Sequence, residues 1–392
     1  MKKKVVIAMS GGVDSSVAAI LLKNQGYQCI GVHLKFWSDP AAKKFLAKSA
    51  FTSCENKCCS TESAQSARNV CRMLNIPFTV INVEKKFKKH IVDYFINEYC
   101  AGRTPNPCVE CNRYIKFGEL IRISRGLGAD FVATGHYARK TNTPSRLGGT
   151  QAHITGRAEG AQAHINKTRS DSIRGLEIAK DKEKDQSYFL YTLTPRKLKH
   201  ILFPLANLIK SEVRKIAEKY HLRDLSKKRE SQNLCFFPDK LYTDFLKRQL
   251  RPSQLRPGPI KDLKGRRLGT HNGIALYTIG QRKYLGISGQ KTPLYVTKID
   301  KKSNTIFVGE AKDLYSKKLT VKKLNFIQPK PKKTINVKVK IRYRAKQVPA
   351  KLKIKKSTAE ITFREPQRAV TVGQSAVFYK GNLLLGGGII NS

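Results

Sequence analysis

Ser10-Gly11-Gly12-Val13-Asp14-Ser15-Ser16 lies between two apolar runs, residues 5–9 and 17–24. The first run, Val5-Val6-Ile7-Ala8-Met9, reads as a buried parallel strand, and the second as a helix closed by Gly26. Two glycines in the linking loop let the backbone approach an anion closely. The hydroxyls of Ser10, Ser15 and Ser16 can donate to phosphate oxygens, and the helix that follows presents free N–H groups and a positive dipole end. Asp14 is placed to help hold a magnesium ion. The Gly-Lys-Ser/Thr ending of a Walker A loop is missing, so this is a phosphate loop of another kind.

Outward from the loop, strand and helix patterns alternate. Strands are expected at 27–34, 77–83 and 130–134, and helices at 60–74, 87–99 and 117–127. Strands separated by helices predict an α/β domain with a doubly wound parallel sheet. Residues 141–178 break the pattern. They are rich in Gly, Thr, Ser, Arg and Gln, and Gln151-Ala152-His153-Ile154 is echoed by Gln162-Ala163-His164-Ile165. Such a stretch predicts a disordered surface insertion, its paired histidines a product of duplication rather than a metal site. The chain is helical and basic over 208–250, with one helix expected to start at a Ser211 N-cap and another at 242–249. Gly and Pro are frequent over 252–291, and strands dominate from Leu294 onward. Residues 337–344 alternate apolar and basic, giving a strand with one positive face, and 351–355, 360–363 and 375–379 continue the pattern. The expected domains are 1–207, a small helical and mixed central domain at 208–292, and a C-terminal β-barrel at 293–392.

Composition bounds the function. The 392 residues carry 76 Lys plus Arg against 28 Asp plus Glu, a net charge of +48. Such an excess implies a polyanionic partner, and nucleic acid is the usual one. At 40% hydrophobic, the chain can build real cores, and no apolar run approaches the roughly 18 residues of a membrane helix. Met1-Lys2-Lys3-Lys4 resembles the start of a signal peptide, but the apolar stretch after it is too short, so a cytoplasmic protein that does not engage membranes is expected.

Nine cysteines are present: Cys29, Cys54, Cys58, Cys59, Cys71, Cys100, Cys108, Cys111 and Cys235. An odd number in a long, unsecreted chain argues against a disulfide framework, leaving catalytic thiols, metal ligands or buried apolar residues. Cys54, Cys58 and Cys59, with Cys108 and Cys111, are the set from which zinc or an iron–sulfur cluster could be built. Their Cys-x-x-x-Cys-Cys spacing is not a standard knuckle, and no metal site is expected.

The SGGVDSS loop after an N-terminal strand resembles the PP-loop ATP pyrophosphatases. Further motifs narrow the resemblance to the tRNA-specific 2-thiouridylases: Arg103-Thr104-Pro105-Asn106-Pro107-Cys108-Val109-Glu110-Cys111-Asn112, Ala133-Thr134-Gly135-His136-Tyr137, Lys184-Asp185-Gln186-Ser187-Tyr188-Phe189-Leu190, Gly280-Gln281-Arg282 and Val372-Gly373-Gln374-Ser375-Ala376-Val377-Phe378-Tyr379. The match covers nearly the whole chain outside the insertion. It implies ATP-dependent 2-thiolation of the tRNA wobble uridine, with Cys111 matching the nucleophile and Cys235 the persulfide carrier. The apolar Leu234-Cys235-Phe236-Phe237 would shield a persulfide, and the basic run Lys227-Lys228-Arg229 would favour a thiolate. Carried over residue by residue, ATP as its magnesium complex falls to Ala8, Met9, Ser10, Gly11, Gly12, Val13, Asp14, Ser15, Leu34 and Gly135. The tRNA falls to Asn106, Pro107 and Cys108 near the target base, and to His136, Lys184, Asp185, Gln186, Arg342, Tyr343 and Gln374. The implied partners of this expected monomer are the tRNA anticodon loop and a persulfide sulfur-donor protein, and the resemblance makes 1–207 the PP-loop ATP-pyrophosphatase domain and 208–292 a central tRNA-binding domain. Leu34 stands where Met is usual, and Ser66 where an acidic residue is usual; the latter is expected to matter little, in a helix away from the loop. A lysidine-type tRNA ligase is the alternative enzyme, and a non-enzymatic RNA-binding protein the alternative class. The first needs no paired cysteines, and the second leaves the phosphate loop idle.

Overall fold

A computed structural model describes residues 2–40, 60–141, 175–227, 234–237 and 241–392. Its first half holds β1 (Lys4–Ala8), β2 (Gln28–Lys35), β3 (Phe78–Asn82), β4 (Phe131–Ala133), β5 (Arg139–Thr141), β6 (Gly175–Glu177) and β7 (Ile201–Leu202). Five of these form the expected parallel sheet, in the order β3-β2-β1-β4-β7. Val5, Val6, Ile7 and Val132 are fully buried, as strands covered on both faces require. The order reverses between β1 and β4, and ligands of such sheets bind beyond the strand ends at that reversal. The helices differ from expectation mainly in where they begin. The first spans Val13–Asn24 and so includes half of the loop. The helix expected from residue 117 begins at Pro107 and runs through a π-helical stretch, Cys111–Glu119.

β8 (Gly258–Asp262), β9 (Arg267–His271), β10 (Tyr295–Asp300) and β11 (Thr305–Gly309) form a second sheet, ordered β10-β11-β8-β9. The boundary expected at 292/293 cuts through this sheet. The expected boundary at 207/208 also moves, because the helix Lys210–Lys219 packs Val213 and Ala217 against Val13, Val17 and Ala18 of the first body. That helix is not capped by Ser211. Glu212 accepts from the Ile209 amide at 2.7 Å, and Asp181 accepts from the Lys210 amide at 2.9 Å.

The last body is β12 (Tyr315–Phe326), β13 (Ile335–Lys340), β14 (Val348–Lys355), β15 (Thr358–Arg368), β16 (Ser375–Lys380) and β17 (Leu383–Ile390). Antiparallel pairing runs β12-β15-β14-β13-β16-β17, and β17 returns to β12, closing the expected barrel. Its core holds Leu352, Ile361, Phe363 and Phe378. β13 stops at Lys340, so Arg342 and Tyr343 sit in the turn after it rather than on the strand face. β6 pairs with β17, and β5 with β6, so the barrel sheet continues into the first body. The ends of the expected insertion, Thr141 and 175–178, are therefore ordered; its interior lies outside the described residues.

Candidate functional site

The loop after β1 and the loop after β4 meet at the sheet's reversal. A Cβ added at Gly135 would lie 2.8 Å from the Asp14 carbonyl carbon and 2.9 Å from the Ser15 nitrogen, so only glycine allows this approach. Gly11 has φ +75°, and a Cβ there would strike the Ser63 carbonyl. Ser66, on the same helix Thr61–Met73, donates to the Gly11 carbonyl at 3.2 Å. The expectation that Ser66 lies away from the loop is corrected: the loop rests on that helix. Ser15 Oγ donates to the Gly12 carbonyl at 2.9 Å and lies 3.1 Å from Ser10 Oγ. No side chain caps the helix beginning at Val13, which leaves its N-terminus open to an anion.

Asp14 is held from two directions. Tyr137 OH donates to it at 2.8 Å, and Lys210 Nζ reaches both carboxylate oxygens, at 2.7 and 2.9 Å. The Lys210 side chain is only 10% exposed, so its end of the ion pair is shielded from water, whereas the Asp14 side chain is 32% exposed. Sequence reasoning missed Lys210, which is 196 residues from Asp14. Tyr137 stood in a quoted motif but was given no role. The glycine cradle and open helix N-terminus fit a nucleotide phosphate, and Asp14 is the carboxylate within the loop itself.

Next in space comes His136. It is 7% exposed, its Nδ1 lies 2.8 Å from Thr134 Oγ1, and its ring packs on Phe117 at 5.6 Å. Burial, with Lys116 nearby, holds its pKa well below the usual imidazole value, so the ring is neutral at physiological pH. Phe117 belongs to the π-helical stretch that Cys111 opens. The phosphate loop, Gly135-His136 and the Cys111 stretch are thus packed in sequence.

Cys111 is buried in the main core. Asn106 caps its helix, accepting from the Val109 amide at 3.4 Å, with Pro107 in the first turn, a position proline favours. Asn112 Nδ2 donates to the Cys108 carbonyl at 3.0 Å. Cys235 is partly buried against the same core. Its neighbour Phe236 is 1% exposed and lies 5.2 Å from Phe95, 5.5 Å from Phe245 and 6.1 Å from Phe87. Phe87 and Phe95 stand on the helical run 84–100, which also packs against the Cys111 helix. Both cysteine segments flank that run. Lys228 and Arg229, expected to favour the Cys235 thiolate, lie outside the described residues, as do Cys54, Cys58 and Cys59. Among the described residues no cluster of His, Cys, Asp or Glu could hold a metal ion.

The residues expected at the RNA fall into two groups. Asp185 and Gln374 turn inward. Asp185, 5% exposed, accepts from Ser187 Oγ at 2.7 Å and from the Ala179 amide at 3.0 Å. Gln374 Nε2 donates to the Thr104 and Pro105 carbonyls, at 3.1 and 2.9 Å, clamping the barrel onto the loop that leads to Cys111. Gln186 accepts from the Tyr137 amide at 3.1 Å. Arg342 and Tyr343 gather elsewhere, on the turn after β13. Arg342 Nη2 donates to the Arg368 and Ala369 carbonyls, and Tyr343 packs on Phe189 with ring centres 4.5 Å apart. Leu34, expected at the adenine, is buried at the end of β2. Asp39, just beyond, is 1% exposed and pairs with Arg248 at 2.9 Å and Gln249 at 2.8 Å.

Residues 3–239 match the model of the tRNA methyl transferase HUP domain, 243–310 the tRNA methyl transferase PRC-barrel domain, and 316–390 the aminomethyltransferase beta-barrel domain. A tRNA-specific 2-thiouridylase MnmA 1 of Caldanaerobacter subterraneus subsp. tengcongensis is 44% identical, covering 100% of this chain and 98% of that protein. The chain belongs to the tRNA-specific 2-thiouridylase family. Two further members, from Clostridium perfringens and Geotalea uraniireducens, are 42% and 44% identical; they cover 100% and 99% of this chain, and 99% and 95% of their own lengths. The 2-thiouridylase likeness spans the three bodies together and is not confined to the phosphate loop. Among the described residues no helix is long and apolar enough to cross a membrane.

Proposed function

We propose that this chain catalyses ATP-dependent 2-thiolation of the wobble uridine of tRNA. One observation carries the reading: two cysteine segments flank a single helical run, 84–100, and one of them is joined to the phosphate loop through Phe117, His136 and Gly135. The uridine 2-oxygen is a poor leaving group. Its attack on the α-phosphorus of ATP forms an O–P bond, releases pyrophosphate and makes AMP the leaving group. In this reading the loop from Ala8 to Ser15, with Gly135 and Leu34, binds the nucleotide, and Asp14, fixed by Lys210 and Tyr137, orients it. A magnesium ion bound with the phosphates would neutralise their charge.

Sulfur then moves. The terminal sulfur of a Cys235 persulfide attacks C2 of the uridine, and AMP departs with the oxygen. The Cys111 thiolate attacks the Cys235 sulfur, forming a Cys111–Cys235 disulfide and leaving sulfur on C2. A reductant restores both thiols, and a persulfide-bearing protein reloads Cys235. The aromatic wall of Phe87, Phe95 and Phe245 around Phe236 supports a water-poor setting for this step. Asn106, Pro107 and Cys108 stand nearest the target base, with Lys184, Arg342 and Tyr343 along the anticodon arm. Asp185, Gln186, His136 and Gln374 shape that surface from behind. The described fold supports three units for this work: residues up to 227, the sheet body 242–309 and the barrel 315–390. The enzyme acts as a cytoplasmic monomer.

The test is nucleoside mass spectrometry of tRNA incubated with the protein, ATP, magnesium and a persulfide donor. 2-Thiouridine that requires every component is the expected result. Lysidine or unmodified tRNA would send the assignment elsewhere.

A further inference from the structure

Tyr284 is 78% exposed and has φ +63°, a conformation that a side chain with a Cβ adopts at a cost. Neither fact is explained by packing. The next residue, Leu285, is only 6% exposed and anchors the loop in the main core. Gln281 braces the other side: its Oε1 accepts from the Thr278 amide at 3.1 Å and its Nε2 donates to the Lys283 carbonyl at 3.0 Å. The phenol ring is therefore held out from a braced loop.

The root of this loop lies where the three bodies meet. Thr278 Oγ1 accepts from Thr104 Oγ1 at 3.3 Å, in the segment leading to Asn106 and Cys111. A Cβ added at Gly280 would lie 3.0 Å from Ala369 Cβ, and the Ala369 carbonyl accepts from Arg342. The stretch around it is basic. From Leu263 to Ile299 no Asp or Glu occurs, whereas seven Lys and Arg do; Arg266 and Lys298 pair with Asp262 and Asp300 at its two ends, and Arg282 and Lys283, beside the ring, are exposed. Arg368 lies over the Tyr295 ring at 5.1 Å and extends the same basic and aromatic ridge toward the barrel.

We infer that Arg282, Lys283 and Tyr284 form an additional RNA contact, in which Tyr284 stacks on an unpaired nucleobase of the bound tRNA and the two cations meet flanking phosphates. This rests on the tRNA reading above. An aromatic face offered among cations, with no acidic neighbour in its stretch, suits a base and its phosphates. The base class follows from the geometry: stacking reads a π-face and is tolerant of sequence, so the loop adds hold without choosing the tRNA.

The experiment measures tRNA affinity of the full chain and its Tyr284→Phe, Tyr284→Ala and Arg282→Gln/Lys283→Gln variants over a salt series, with ATP affinity and melting temperature as folding controls. Tyr284→Ala should weaken tRNA binding about 5- to 100-fold, the range of a lost base–aromatic stack. Tyr284→Phe should stay within about twofold, since it keeps the ring. The double variant should reduce the slope of log affinity against log salt by about 1 to 2. Wild-type protein that binds no tRNA would sink the functional reading together with this one. Wild-type binding with an unchanged Tyr284→Ala variant would overturn only the stacking contact. So would a Tyr284→Phe loss equal to that of alanine, which would assign the effect to the hydroxyl. Normal tRNA affinity in Tyr284→Ala, combined with poor sulfur uptake from a persulfide-bearing protein, would give the ridge to a protein partner instead.

Discussion

Cys111 and Cys235 reach the same core by different means. Cys111 is fixed by the main chain: a capped helix start, a proline in the first turn and a π-helical stretch that packs on residues 84–100. Cys235 lies beside Phe236 and Phe237, whose rings are packed in the same core. Phe237 stacks on Phe245 at 5.0 Å, and Phe236 fills the space between Phe87, Phe95 and Phe245. Helical backbone around a thiol sets its direction, and aromatic neighbours set the polarity around it. The contrast suits the roles proposed above, Cys111 as the resolving thiol and Cys235 as the carrier.

The sharpest way to break this contrast is to remove each thiol in turn. Cys111→Ser and Cys235→Ser should each reduce thiolation to background, because a hydroxyl fills neither role. They should differ when the protein is loaded with labelled sulfur: Cys235→Ser loses the protein persulfide and Cys111→Ser keeps it. Persulfide retained on Cys235→Ser would reverse the roles.

Asp14→Ala sets both cysteines against the loop upstream of them. It should lower tRNA-dependent pyrophosphate release by about 10²-fold or more, the scale of losing one preorganised charged contact, while tRNA affinity stays unchanged. Normal pyrophosphate release would falsify the loop assignment.

The aromatic hold is tested by Phe236→Ala. Truncating a fully buried phenylalanine should cost about 3–5 kcal/mol in denaturant unfolding. A loss near zero would mean that Phe236 does not anchor the Cys235 segment. Cys108→Ser, one turn before Cys111, should keep thiolation within about twofold. Loss of activity there, with Cys111→Ser active, would show that the resolving thiol is the other member of the Cys-x-x-Cys pair. Smallest of all, deleting residues 145–172 should leave activity and melting temperature nearly unchanged, since each doubling of loop length is worth only about 0.6 kcal/mol. A marked drop in thiolation on deletion would put the insertion at the substrate.

Local pattern made the sheet legible. β1, β2 and β3 fall within a residue of the expected bounds; β1 reads as a continuous apolar run because it is covered on both faces, and β3, at the sheet edge, still reads as a strand from its β-branched and aromatic residues. Ser60 caps the helix expected over 60–74, accepting from the Ser63 amide at 3.0 Å. Contacts between distant residues were not legible. Lys210 gave no sign of its place on Asp14, nor Gln374 of its clamp on Thr104 and Pro105, 270 and 269 residues away. Ser211 looked like a cap, but the Lys210 amide had already found Asp181, 29 residues upstream. The boundary at 292/293 failed for a similar reason. A stretch rich in Gly and Pro resembles a linker, but here it holds β8 and β9, which share one sheet with β10 and β11 beyond it. The role of Ser66 was underestimated because a helix's distance from a loop in sequence says little about which of its turns the loop lies on.

The pairing of β6 with β17 has a mechanical consequence. Leu176 and Glu177 are hydrogen-bonded into the barrel opposite Leu384 and Leu383, so the nucleotide-loop body and the barrel share one ladder. Tyr188 OH and the Ser375 carbonyl, 3.0 Å apart, and Asn325 reaching the Tyr191 carbonyl at 2.6 Å rivet the same seam. Rotating one body against the other would shear a β-sheet, the stiffest direction a protein has. These two bodies therefore turn as one piece, and a partner that spans them meets a single surface of fixed spacing.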